Sequence, residues 1–139
     1  MNKKIYHVAQ PYFSNSDINW IQKKVFDILT GKLSTGPLTA LFEKKFAKFI
    51  GTKYAVFLNS CTSALEIAVK SLKLTKNDEV IVPAQTFIAT GIAVTLQGAK
   101  VVFAEINPDT FCINLAEIKK RITKNTKAIM LVYFAGYIP

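Results

Sequence analysis

Four short segments of this chain carry apolar side chains at consecutive positions rather than at alternate ones: Tyr54–Leu58, Glu79–Val82 after its first residue, Lys100–Ala104 after its first residue, and Ala128–Phe134. Successive side chains of a strand point to opposite faces. A strand that is apolar on both parities must therefore be covered on both sides. That excludes a sheet with one wet face and favours a mostly parallel sheet between layers of helices.

The intervening segments have helical spacing. Ile18, Ile21, Val25, Ile28 and Leu29 share one face behind a candidate cap, Ser16, and Gly31 closes the helix. Ser34-Thr35-Gly36-Pro37 reads as a turn, with Pro37 placed to start a second helix. Leu38, Leu41, Phe42, Phe46, Phe49 and Ile50 lie along one side of that helix, and Gly51 ends it. A third helix carries Leu65, Ala68, Val69 and Leu72. A fourth runs from about Phe87 to Gln97 and stops at Gly98, in the manner of a glycine beyond a helix C-terminus. A fifth has Leu115, Ile118 and Ile122 on one face. The predicted fold class is α/β, a sheet of parallel strands flanked by helices, with no internal repeat, low-complexity tract or domain linker.

Composition removes several function classes. The chain has 139 residues, 50% of them hydrophobic and 19% charged, which suits one globular domain. Two cysteines, Cys61 and Cys112, and the single histidine, His7, offer neither a disulfide framework nor the spacing of a metal site. The net charge of +9 favours anionic partners, yet the lysines are scattered over several helices and Arg121 is the only arginine. A nucleic-acid surface is therefore not expected. Val80–Ala99 carries no charge and is long enough to span a bilayer. Pro83, Gln85, Thr86, Thr90, Gly91, Thr95, Gln97 and Gly98 make it a poor membrane helix. It reads as a buried strand, a loop and a short buried helix. Met1–Tyr6 has lysines but no apolar stretch of a signal peptide after them, so a cytoplasmic protein is expected.

The last strand is followed only by Ala135–Pro139. A parallel sheet would continue with a crossover helix. Without one, the strand leaves apolar surface bare at a cost of several kcal/mol, at roughly 25 cal/mol per Å². The expectation is an N-terminal portion of a larger protein.

Two segments are candidates for chemistry. Asn59-Ser60-Cys61-Thr62 follows the first apolar run and opens a helix. Such a turn presents unpaired backbone amides and the positive end of the helix dipole, and small side chains let a phosphate approach. The plain alternative is that Ser60 or Thr62 only caps the helix. Neither a Walker sequence nor G-x-G-x-x-G is present, which argues against P-loop and ordinary dinucleotide folds. The second candidate, Pro83–Thr90, also links a buried strand to a helix and places Phe87 at the same sheet edge. Phe87 could stack on a planar ring, or could simply pack in the core.

Read in order, Gly36-Pro37, Phe42-Glu43, "NSCTSALEIAV", "NDEVIVPAQTFIAT", "GAKVVFAEINPDTFCIN" and "ITKNTKAIMLVYFAG" resemble the DegT/DnrJ-type sugar aminotransferase family, from about Tyr12 onward. The resemblance implies a pyridoxal-phosphate enzyme of the aspartate-aminotransferase fold type. Residues 1–139 would be the N-terminal arm and helices plus the first part of the coenzyme-binding large domain, with no second domain. It implies transfer of an amino group, usually from glutamate, to a keto sugar linked to a nucleotide, in a homodimer whose active site lies at the interface. By the same resemblance Cys61 and Thr62 bind the cofactor phosphate, with Ser60 beside them, and Phe87 stacks on the pyridine ring. Gly36 and Pro37 fall in a loop near the substrate, and Glu43 has a structural role. The Schiff-base lysine and the carboxylate that protonates the pyridine nitrogen lie downstream in the family. The fragment is expected to be inactive alone, with no catalytic residue or metal site of its own. Four departures stand out: Cys61 where many relatives have glycine, Gly91-Ile92 after Thr90, Glu105 for a frequent aspartate, and Tyr133 for a frequent histidine. Other readings are a non-catalytic relative with a binding or regulatory role, a different enzyme of this fold type such as a cysteine desulfurase, and a basic nucleic-acid-binding module.

Overall fold

The computed structural model describes residues 11–31 and 36–139. His7 and Ser34-Thr35 of the predicted turn lie outside the described residues. The chain divides into two compact units, Met1–Phe57 and Leu58–Pro139.

The first unit holds two helices, α1 (Asn15–Leu29) and α2 (Pro37–Ile50). The cap of α1 is Ser14, not Ser16. The Ser14 hydroxyl accepts from the Asp17 amide at 3.2 Å, and the Asp17 carboxylate accepts from the Ser14 amide at 2.9 Å. This reciprocal box needs an acid three residues after the cap. Ser14 has Asp17 there, whereas Ser16 would have Asn19. Pro37 starts α2, and Gly51 ends it at φ 81°, a left-handed conformation that favours glycine. Glu43 accepts a hydrogen bond from the Phe57 amide at 2.8 Å, and the rings of Phe42 and Phe57 meet edge-on at 5.3 Å. Glu43 thus ties α2 to the segment that follows it, in keeping with the structural role expected of it.

That segment, Tyr54–Leu58, forms no strand. It has extended-strand composition, but the ladder hydrogen bonds that define a strand are missing among the described residues. Among the described residues one sheet forms, of three strands paired in parallel in the order β2-β1-β3: β1 (Glu79–Pro83), β2 (Lys100–Ala104) and β3 (Thr126–Ile129). Between them run α3 (Cys61–Ser71), α4 (Ala89–Thr95) and α5 (Leu115–Arg121). Gly98, at φ 76°, follows the shorter α4 as the sequence predicted. Val80–Ala99 is therefore strand, loop and helix. Among the described residues, no helix is long and apolar enough to cross a membrane.

The strand that is apolar on both parities is indeed covered on both sides. Val80 and Val82 pack with Val69 of α3 and with Ala93 and Val94 of α4. Ile81, pointing the other way, packs with Ala104, Ile113 and Ile118 of α5. All three β1 side chains are fully buried. Each such burial stabilises the unit by about 1.5–3 kcal/mol.

β3 ends at Ile129 rather than at Phe134, and Pro83 supplies the reason. Even-numbered residues of β1 bond towards β2, as when the Ala84 amide donates to the Ala104 carbonyl. Odd-numbered ones bond towards β3: the Glu79 amide donates to Asn125, and Ile81 accepts from the Met130 amide at 2.9 Å. The next donor on that side would be residue 83, and proline has no N–H. The ladder stops there, and Phe134–Gly136 turns into a short 3-10 helix.

Candidate functional site

The site lies at the carboxyl ends of β1 and β3, the edge where open parallel sheets receive ligands. A cavity of about 400 Å³ opens there, lined by Cys61, Thr62 and Leu65 of α3, by Thr86, Phe87, Ala89 and Thr90 around the start of α4, and by Met130–Tyr133 after β3. Cys61 and Thr62, picked out in one segment of the sequence, and Phe87, picked out in another, meet in this one space.

Ser60 organises the α3 corner. Its hydroxyl accepts from the Ser63 amide at 3.2 Å, and its carbonyl accepts from the Ala64 amide at 3.2 Å. Ser60 is the cap, so the capping alternative is right for Ser60, which does not line the cavity. The capping pattern leaves the amides of Cys61 and Thr62 without an acceptor among the described residues. These are first-turn donors at the positive end of an eleven-residue helix. Cys61 is exposed and small, so its side chain does not shield them.

The other walls are mostly apolar. Phe87 is 75% exposed, which rules out the core-packing alternative for this ring. It stands in the turn before α4 rather than inside that helix. The Thr86 and Thr90 hydroxyls bond to each other at 2.8 Å, which fixes the same turn. None of the lining residues carries a charge. The arrangement can hold an anion at the α3 amides and a flat ring against an aromatic face. Gly36 and Pro37 belong to the other unit, as the cap and first residue of α2.

The sequence did not single out Thr86, Met130, Leu131 or Val132 as cavity residues. Thr86 and Thr90 sit within a quoted motif, but the β3 wall depends on where pairing stops, which no local pattern announces.

Residues 16–138 match the profile of the DegT/DnrJ/EryC1/StrS aminotransferase family. The chain belongs to this family. Among its relatives, the spore coat polysaccharide biosynthesis protein SpsC of Bacillus subtilis is 40% identical over 116 residues, 84% of this chain and 30% of SpsC. A 3-oxo-glucose-6-phosphate:glutamate aminotransferase of the same organism is 36% identical over 124 residues, 88% of this chain and 28% of the enzyme. The structure of Spr1654 from Streptococcus pneumoniae in its pyridoxamine-phosphate form superposes with a TM-score of 0.81 at 35% identity, covering 93% of this chain and 32% of that one. Spr1654 is also known in its pyridoxal-phosphate form. The chain thus spans about a third of the length of these DegT-family relatives. Its three-strand parallel sheet with flanking helices matches the solved structures.

Proposed function

We propose that this chain supplies the first part of the coenzyme-binding large domain of a sugar aminotransferase. The family assignment and the forms of its solved neighbours indicate pyridoxal phosphate as the coenzyme. The residues present fit that group: free amides for a doubly charged phosphate, small side chains that let it approach, and an exposed phenyl ring beside an apolar wall. Bound there, the coenzyme would supply the electron sink that transamination requires. The roles of this chain's residues follow from their placement. Cys61 and Thr62 bind the phosphate through backbone N–H, Ser60 holds that turn in shape, and Phe87 stacks on the ring. The single observation that carries the reading is the convergence of Cys61, Thr62 and Phe87 on one cavity.

The finer substrate is a keto sugar with an anionic carrier, aminated from glutamate. The net charge of +9 suits a nucleotide diphosphate sugar, and a sugar phosphate would meet the same field. The glutamate donor agrees with the name of the 3-oxo-glucose-6-phosphate relative. Gly36 and Pro37 contact this substrate, and the working enzyme is a cytoplasmic homodimer, as the family resemblance implies. Among the described residues, those that line the cavity include no lysine or carboxylate to move a proton. In this reading the 139-residue chain alone binds coenzyme without turning over. Incubation with pyridoxal phosphate, glutamate and a keto-sugar nucleotide should yield no amino sugar; clear turnover would refute this part of the reading.

Phosphate binding can be tested at a single backbone atom. Cys61 is the first residue of α3, a position that tolerates proline, and Ser60 is extended at φ −158°, ψ 156°, as a residue before proline must be. Cys61→Pro therefore removes one amide donor while keeping the helix. Titration with pyridoxal phosphate should show binding weakened about tenfold or more, the worth of a hydrogen bond to a charged group. Unchanged affinity would remove the α3 amides from the site.

A further inference from the structure

Tyr133 lines the cavity on a segment separate from both α3 and α4, and among the described lining residues it alone combines an aromatic ring with a hydroxyl. Its backbone is held from both sides. Upstream, the Met130 amide donates to Ile81 at 2.9 Å. Downstream, the Phe134 ring meets Phe111 at 5.5 Å, and the Cys112 thiol donates to the Tyr137 carbonyl at 3.5 Å. The loop carrying Phe111 and Cys112 is itself closed by the Ile106–Ile113 bridge and by a bond from the Asn107 amide to the Cys112 carbonyl at 2.8 Å. Phe134 is thus turned towards that loop, while Tyr133 faces the cavity.

The polar groups there are unequally committed. Thr86 and Thr90 satisfy each other. Thr62 stands beside the amides assigned to the phosphate. The Tyr133 hydroxyl has no hydrogen-bond partner among the described residues, and its side chain is part of a wall otherwise built from Met130, Leu131 and Val132. A phenol on such a wall can donate one hydrogen bond to a polar atom at the edge of a flat ligand.

We propose that Tyr133 positions the coenzyme ring, its hydroxyl donating a hydrogen bond to the ring's phenolic oxygen. This rests on the reading that the cavity takes pyridoxal phosphate. Of the ring's polar atoms, the aldehyde oxygen is lost when the coenzyme reacts, and the pyridine nitrogen calls for a carboxylate. The phenolic oxygen persists in both the aldehyde and amine forms and is the strongest acceptor for a neutral donor.

The test is binding to the 139-residue chain of three probes: pyridoxal phosphate, 3-deoxypyridoxal phosphate (which lacks the phenolic oxygen) and inorganic phosphate. Tyr133→Phe keeps the ring and removes the donor. It should weaken pyridoxal phosphate binding about fivefold, shift the absorbance band of the bound coenzyme, and leave the affinities for the other two probes unchanged. Equal losses for pyridoxal phosphate and its 3-deoxy analogue would show a general packing effect and overturn the proposal, as would no loss at all. Should the unmodified chain bind pyridoxal phosphate no more tightly than inorganic phosphate, the coenzyme reading itself fails and the role of Tyr133 falls with it. The two failures are thus distinguishable.

Discussion

α1 and β1 announce themselves in the sequence with equal clarity, yet the structure treats them differently. β1 places Val80, Ile81 and Val82 wholly out of solvent. α1 has a continuous apolar stripe and buries none of its residues; Trp20, Phe26 and Leu29 are each more than 60% exposed. α2 buries only Ala47. The contrast teaches that periodicity declares a face to be covered without saying what covers it. Inside Leu58–Pro139 the covering elements are α3, α4 and α5. Within Met1–Phe57, no described element covers the stripe of α1.

The largest expected effect sharpens this contrast directly. Ile81→Ala removes a fully buried side chain between β1 and α5 and should cost about 3 kcal/mol. Leu29→Ala, at a position 67% exposed, should cost less than about 0.5 kcal/mol in the same urea unfolding experiment. Comparable losses at the two positions would mean that α1 is covered in solution, and the contrast would collapse.

A smaller effect concerns two carboxylates, one in each unit. In the first, the Ser14 hydroxyl and then the Ser14 amide lower the pKa of Asp17. In the second, the Thr75 amide and then the Thr75 hydroxyl lower that of Asp78, just before β1, with Lys127 adding a weaker pull. A carboxylate with a lowered folded-state pKa contributes stability above its unfolded value, here 3.8, and loses it as pH falls through the folded one. Acidification below about pH 4 should therefore weaken both turns. The expected difference lies in what is lost. Asp78→Asn should flatten the acid dependence of the main unfolding transition, because Asp78 anchors the entry to the central strand. Asp17→Asn should alter only helical content measured by circular dichroism. An unaltered acid limb in Asp78→Asn would remove that carboxylate from the stability of the sheet.

Much of this architecture was legible in advance for local reasons. β2 has the predicted bounds, and Gly51 and Gly98 mark helix ends because left-handed backbone is costly for other residues. The turn at Cys61-Thr62 was readable because capping leaves first-turn amides open whatever lies around them. Other features resisted for equally physical reasons. Tyr54–Leu58 has strand composition, but a strand exists only with a partner. Ser16 looked like a cap until the reciprocal acid at Asp17 favoured Ser14. The early end of β3 depended on Pro83, a residue 46 positions before Ile129 in the chain. Tyr133 entered the sequence reading only as a departure from relatives, since nothing local tells which way a residue after an unpaired strand end will face.

By itself, then, the sequence determined which segments need covering on both faces, where glycines end helices, and which turn leaves helix amides open; these follow from side-chain polarity and backbone sterics within a few residues. Tertiary structure alone decided which strands pair, which apolar stripes find cover, and that Phe87, Thr62 and Tyr133 share one cavity. Those outcomes require hydrogen-bond partners and packing surfaces from distant parts of the chain, and no local pattern encodes them.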